Sequence, residues 1–237
     1  MASPVRLFMP APFSAGAELP LDATQAHYLG TVMRRGAGGE VHLFNGRDGE
    51  WAAEIVALAR GAGRLQVRRQ LRPQAAEPDI WLAFALLKRH AVDLVVQKAT
   101  ELGVARLLPV ITARSIAERT NLDRLRAIAI EAAEQSERLS VPEIAPPQTL
   151  ADLLRTWPAG RRLTAAVERA AAPAPAPAGA APAGLLVGPE GGFTPAELDA
   201  LRAHPFVESA SLGPRILRAE TAAIAGLALL AASSPTN

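Results

Sequence analysis

The chain has 237 residues, of which 49% are apolar, 20% charged and 4% aromatic, and its formal net charge is +2. That length holds one large domain or two modest ones with an ample core, while the low aromatic content does not indicate a stacking platform for single-stranded bases. Cysteine is absent and the four histidines, at 27, 42, 90 and 204, lack metal-ligand spacing, so disulfides and Cys-ligated zinc are excluded and no metal is expected.

The N-terminal stretch MASPVRLFMPAPFSAG lacks a basic segment followed by an uninterrupted apolar one, and the longest apolar stretch, 222–232, is too short to cross a bilayer. A cytoplasmic protein without membrane contact is the expectation. From Val5 to Leu71, short alternating runs (EVHLFNG, EWAAEIVAL, RLQVRRQL) are separated by the turn signals RRGAGGE, NGRDGE and RGAG. This pattern predicts a small β-barrel over residues 1–72. The same region carries nine Arg against six acids, a net +3, whereas residues 73–237 carry sixteen Lys/Arg against seventeen acids, a net −1. Arg60, Arg64, Arg68, Arg69 and Arg72 fall together without an acid among them, either as a phosphate-backbone surface or as a solvated strand pair.

RPQAAEPD reads as a linker, and from IWLAFALL onward strands and helices alternate in the α/β manner. Apolar spacing at Val92, Val95, Val96, Ala99 and Leu102 predicts a helix over 88–102 with Gly103 as its C-cap, followed by the strand RLLPVIT. Both lysines of the chain, Lys88 and Lys98, fall on that helix. A further helix begins at Asn121, with Glu134 and Arg138 spaced for a pair. The Ala/Pro-rich segment 170–184 has no means of packing a core and is expected to be an extended surface loop.

The apolar run Leu185-Leu186-Val187 reads as a strand buried on both faces and ends at Gly188-Pro189-Glu190-Gly191-Gly192. Thr194-Pro195-Ala196-Glu197 then supplies an N-cap, a proline at the first helical position and a capping-box glutamate. A glycine turn between a strand and a helix is where open α/β sheets hold ligands. Neither the Walker spacing nor G-x-G-x-x-G occurs, and Glu190 would repel a phosphate. A ligand with positive charge, amines or ribose hydroxyls suits the turn better; a plain connection remains the alternative. The chain closes on SLGPRILRAETAAIAGLALLAAS, a Leu-Gly-Pro loop and a helix apolar on nearly all sides, to be covered by the sheet or by a second subunit.

Five blocks in order, DLVVQKATELGV, LLPVITARS, EAAEQSERLSVPEI, GPEGGFTPAEL and SLGPRILRAETA, with RLF and HYLGTVMRRGAGGEVHLFNG at the front, resemble the RsmE family of 16S ribosomal RNA uridine N3-methyltransferases in the SPOUT superfamily. The Ala/Pro segment is longer and plainer than that family's pattern. The resemblance implies a SPOUT α/β domain with a deep trefoil knot over 73–237, a PUA-like RNA-binding barrel over 1–72, a homodimer, S-adenosyl-L-methionine as cofactor and 16S ribosomal RNA in the 30S subunit as substrate. It implies that Gly188, Pro189, Glu190, Gly191 and Gly192 wrap the cofactor and that Leu212, Gly213, Ile216 and Leu217 offer it backbone groups and an apolar wall.

The imide nitrogen of uridine is a poor nucleophile until deprotonated, so the site needs a base or a positive charge that stabilises the anion. Arg218 is the candidate for the charge, and Glu190 or Glu220 for proton acceptance or for holding the ribose; Glu220 could equally complement the N-terminus of its own helix. Candidate RNA contacts are Arg64, Arg68 and Arg69, with Arg6 and Arg34 besides. Two rival functions share these features: a SPOUT enzyme acting on transfer RNA or a ribose hydroxyl, and a non-catalytic RNA-binding protein.

Overall fold

A computed structural model describes residues 5–168, 172–179 and 181–232. The chain clusters into two compact units, one of residues 1–76 with 133–141 and one of 77–132 with 142–237. The front unit therefore differs from a single cut after residue 72, because a later excursion of the chain joins it.

In the front unit, β1 (Val5–Phe8), β2 (Glu18–Leu21), helix α1 (Ala23–His27), β3 (Glu40–Phe44), β4 (Glu50–Ala59) and β5 (Ala62–Arg72) build a five-stranded mixed sheet in the order β1-β3-β4-β5-β2. β1 runs parallel to β3 and the other pairs are antiparallel. Inward residues of each strand, among them Leu7, Val41, Leu43, Ile55, Leu65 and Val67, form one core. The Arg60-Gly61 hairpin closes β4 on β5, with Gly61 at φ +82°. A bulge lies between the Ala53↔Val67 and Ala52↔Arg69 pairs, so Arg68 and Arg69 are both exposed where strict alternation would turn one inward.

Arg6 is the correction in this unit. It is buried at 7% exposure, which removes it from the candidate RNA contacts. Its Nε donates to Glu50 Oε1 at 2.6 Å, and its terminal nitrogens donate to the carbonyls of Ala133, Glu134 and Arg138 at 2.9, 3.1 and 2.7 Å. The guanidinium also lies 4.5 Å from the centre of the Phe44 ring. The first two carbonyls close a helix with no basic residue of its own in the last turn, so Arg6 supplies the missing C-terminal cation and donors. Burial pushes the Glu50 carboxyl up, but hydrogen bonds from Arg72 and Arg6 outweigh it and hold the group below its ordinary value. Glu134 accepts from the Phe8 amide at 2.9 Å.

The second unit comprises β6 (Ile80–Ala85), α2 (Arg89–Glu101), β7 (Arg106–Ile111), α3 (Leu122–Gln135, its last residues in the front unit), β8 (Glu143–Ile144), β9 (Gln148–Thr149), α4 (Leu150–Thr156), β10 (Arg162–Ala166), β11 (Ala183–Val187), α5 (Pro195–Arg202), β12 (Val207–Ala210) and α6 (Ala219–Ala231). All its strand pairs are parallel, in the order β12-β10-β11-β6-β7-β8, with β9 also on β7. Within the segment expected to be a plain loop, β11 already begins at Ala183. Gly184 belongs to it because a Cβ there would lie 2.6 Å from the Trp157 ring. The described part of the Ala/Pro segment has no regular structure but is tied down: Ala178 N donates to the Leu230 carbonyl, and the Pro173 carbonyl accepts from Ser211 N. α6 packs on β11, β6 and α2 through Ala219, Ala222, Ala223, Gly226, Leu227 and Leu230, while Leu229 stays 39% exposed. The sheet thus covers one side of this helix only. Among the described residues no helix is long and apolar enough to cross a membrane.

Arg6→Ala would leave the buried Glu50 carboxylate with Arg72 as its remaining guanidinium partner and uncap a helix end. A loss of about 3–5 kcal/mol is expected in urea unfolding at pH 7, against less than about 0.5 kcal/mol for the exposed Arg69→Ala.

Candidate functional site

Because the strands are parallel, their carboxyl ends share one edge of the sheet, and the chain segments leaving β10, β11 and β12 meet there. They enclose a cavity of about 330 Å³. Its contributors are residues 166–168 at the end of β10, 187–193 at the end of β11, and Ser211, Leu212, Gly213, Arg215, Ile216 and Leu217 after β12, with Leu198, Ala219 and Ala222 from α5 and α6. The volume is at the small end of ligand sites, and apolar walls alternate with exposed main chain.

All nine residues expected to hold a cofactor, Gly188, Pro189, Glu190, Gly191, Gly192, Leu212, Gly213, Ile216 and Leu217, line this cavity. The glycines act in different ways. Gly192 at φ +69° and Gly213 at φ +110° occupy backbone conformations that side chains resist. Gly188 and Gly191 are constrained by their neighbours instead: a Cβ would lie 2.9 Å from the Phe193 ring in the first case and 3.2 Å from Arg114 Cδ in the second.

Hydrogen bonds from the far side hold the turn. Thr194 caps α5 in a complete capping box with Glu197. Glu197 does more than complete the box, since its Oε1 accepts from the Ala113 amide at 2.8 Å while Oε2 accepts from the Thr194 amide and hydroxyl. Burial pushes this carboxyl up, but the Ala113 and Thr194 amides, the Thr194 hydroxyl and the nearby Arg114 charge together hold it below its ordinary value. Arg114 donates to the Gly191 carbonyl, so the segment after β7 grips the turn at two points. Sequence reasoning took Glu197 only as a cap and passed over Arg114, Arg215 and residues 166–168. Arg114 does lie in the LLPVITARS block, whereas nothing local marks the end of β10.

The three candidate catalytic residues separate. Glu190 lines the cavity, is exposed and has no partner among the described residues. Arg218 is the exposed N-cap of α6 and is likewise unpartnered; its neighbours Leu217 and Ala219 line the cavity and its own side chain does not. Glu220, in the first turn of α6, is half-buried and outside the lining, and its Oε2 is enclosed without a hydrogen-bond partner. In the front unit, Arg64 pairs with Glu18 at 3.2 Å and Arg68 with Glu54 at 2.6 Å, while Arg69 and Arg34 are exposed and unpaired among the described residues. Arg34 holds a left-handed backbone at φ 51°. No cluster of metal-ligating side chains occurs among the described residues.

A glycine-turn cavity at the carboxyl edge of a parallel sheet defines an α/β protein with a small-ligand-sized site walled largely by main chain. Residues 75–231 match the RNA methyltransferase domain family and residues 21–67 the RNA methyltransferase PUA domain family. The ribosomal RNA small subunit methyltransferase E of Rickettsia conorii is 35% identical over 208 residues, covering 85% of this chain and 84% of its own. That of Synechocystis is 33% identical over 227 residues, covering 90% and 72%. A Legionella pneumophila protein solved with the bound cofactor S-adenosylmethionine superposes with a TM-score of 0.89 at 30% identity over 98% of this chain and 99% of the other. The ribosomal RNA small subunit methyltransferase E of Neisseria gonorrhoeae, bound to S-adenosylmethionine, gives 0.84 at 28% identity, covering 95% and 96%. The chain belongs to the ribosomal RNA small subunit methyltransferase E family of RNA methyltransferases.

Gly192→Val should leave the circular dichroism spectrum native-like and weaken S-adenosylmethionine binding in calorimetry by at least about tenfold, since the strained turn must move out of the cavity wall. Because folding lowers the Glu197 pKa, this group stabilises the fold above its ordinary value of 4.5 and loses that contribution as pH falls through the lower folded value. Glu197→Ala is therefore expected to cost about 1–2 kcal/mol in denaturant unfolding at pH 7, with the difference from wild type shrinking toward pH 3.

Proposed function

We propose that this chain transfers the methyl group of S-adenosylmethionine to N3 of one uridine in 16S ribosomal RNA, acting on the small ribosomal subunit as a cytoplasmic homodimer. The observation that carries the reading is the convergence of all nine expected cofactor residues on one cavity, in a chain of this family. The cavity fits the cofactor: a bare carboxylate, Glu190, suits an amine or ribose hydroxyls, and the apolar wall of Leu212, Ile216 and Leu217 suits an adenine. β11 lies between β10 and β6, although the chain completes β6, β7 and β10 before it, and that order supports a deep trefoil knot in the loops around the cavity. The bare Leu229 face of α6 and the 58% exposed Ile216 support a subunit contact close to the site. In the front unit, a PUA-like barrel is the reading for the mixed sheet, with Arg34, Arg64, Arg68 and Arg69 facing RNA.

When bound, the cofactor supplies an electrophilic sulfonium methyl group. The chain's own residues must orient the uracil ring and manage the N3 proton. Arg218, unpaired and at the mouth of α6, offers its donor fork to a uracil carbonyl oxygen beside N3 and so stabilises the imide anion. Two carboxylates are available to take the proton or hold a ribose: Glu190 in the cavity, and Glu220, whose enclosed Oε2 awaits a donor.

Methyl transfer from labelled S-adenosylmethionine to small subunits from a strain lacking the activity, followed by nucleoside mass spectrometry, should yield N3-methyluridine. Methylation of any other nucleoside, or none, would refute the assignment. Arg218→Ala is expected to lose about 10²–10³-fold in turnover with cofactor affinity within about twofold.

A further inference from the structure

A second cavity, of about 310 Å³, opens at the carboxyl end of β6 and is unused by the chemistry above. Leu86, Arg89 and Val92 border it on one side, and Arg119, Asn121 and Arg124 on the other. Three guanidinium residues line it and no carboxylate does. Arg124 is paired with Asp93, but Arg89 and Arg119 are exposed and without an ion-pair partner among the described residues. Burial and the adjacent Arg89 charge hold the Arg124 guanidinium below its ordinary value. Like charges turned toward one small space carry a cost that an anion relieves. The start of α2 adds to the positive field, because its N-cap is Lys88, no side chain caps its amides and no acid lies in its first turn.

The position of the cavity ties it to the methyl-donor site. β6 and β11 are adjacent parallel strands, so both cavities open on the same sheet edge. The segment between β7 and α3 that carries Arg119 also carries Arg114, which donates to the Gly191 carbonyl of the glycine turn. We propose that the cavity of Arg89, Arg119 and Arg124 seats a backbone phosphate of the RNA strand whose base is presented to the methyl donor. The proposal rests on the RNA methyltransferase reading and adds to it a strand-positioning contact in the catalytic unit itself. Guanidinium forks match phosphate oxygens in pairs, and such contacts fix the register of a strand without reading its sequence.

The test compares wild type with Arg89→Ala, Arg119→Ala and the double variant. Binding to 16S ribosomal RNA is measured by filter retention across a salt series, beside S-adenosylmethionine calorimetry and KM for undermethylated small subunits. Each single variant should weaken RNA binding and raise KM on the order of tenfold and reduce the slope of log affinity against log salt by about 1, with cofactor affinity unchanged. Inorganic phosphate should compete with RNA more effectively against wild type than against the double variant. RNA affinity, salt slope and KM all equal to wild type would overturn the proposal. Phosphate binding that depends on the arginines without any change in RNA affinity would overturn it too, by showing a free-anion site. A wild type that binds RNA through these arginines yet transfers no methyl group would instead refute the enzymatic reading while leaving the phosphate seat standing.

Discussion

The second unit depends on the burial of β11. All five of its residues are buried, and it is paired with β10 on one side and β6 on the other. Both faces of the strand are covered, and two glycines make the coverage close: Gly184 on the strand, beneath the Trp157 ring, and Gly226 on α6, where a Cβ would lie 2.7 Å from Leu185. A strand held on four sides cannot shift its end, so the glycine turn that follows leaves the sheet at a fixed place. The glycine-turn cavity is a consequence of that fixation, because the segments after β10 and β12 close against this turn.

Packing cannot hold the turn itself, since it has almost no side chains to pack. It is held by polar contacts made to its back, away from the cavity. Glu197 satisfies amides of two segments at once, and Arg114 takes up the Gly191 carbonyl. The two acids of this region therefore have opposite uses. Glu197 spends its lone pairs on the protein and has little left for a ligand, whereas Glu190 makes no protein hydrogen bond among the described residues and keeps both oxygens for whatever enters. A carboxylate in the middle of a glycine turn is costly only when a phosphate must lie there, and a cationic sulfonium ligand turns that cost into attraction.

Local signals in the sequence carried the elements that local physics decides. Thr194-Pro195 and Glu197 form the capping box that their spacing predicts, and the apolar run before Gly188 is a strand buried on both faces. What escaped was set by distant pairing. Arg6 reads as one more cation on a basic front domain, yet its partners are Glu50 and three carbonyls more than a hundred residues away, which no periodicity encodes. The same contacts explain why residues 133–141 join the front unit. Arg114 and the end of β10 escaped for a similar reason, since their roles exist only once parallel pairing has brought three strand ends together. The strand order itself, with β11 inserted between earlier strands, leaves no trace in composition or spacing.

Arginine outnumbers lysine in this chain by 23 to 2, and the structure separates its uses. Arg6 and Arg161 are buried, donate to backbone carbonyls and stack on aromatic rings, work that needs a planar fork with several donors. Such residues add nothing to the outward field, so net charge is a poor guide to where RNA would be held. The count that matters is of cations left without a carboxylate. By that measure the front unit offers Arg34, Arg47, Arg60 and Arg69 rather than its whole stripe, since Arg64 and Arg68 are paired and must exchange one partner for another. The second unit, whose fifteen cationic and fifteen acidic residues balance, offers Arg89, Arg119 and Arg218 on segments that leave the carboxyl edge of the sheet. Guanidinium groups left unpaired on the sheet edge where both cavities open place attraction for a polyanion beside the glycine turn, and the overall charge of the domain conceals that placement.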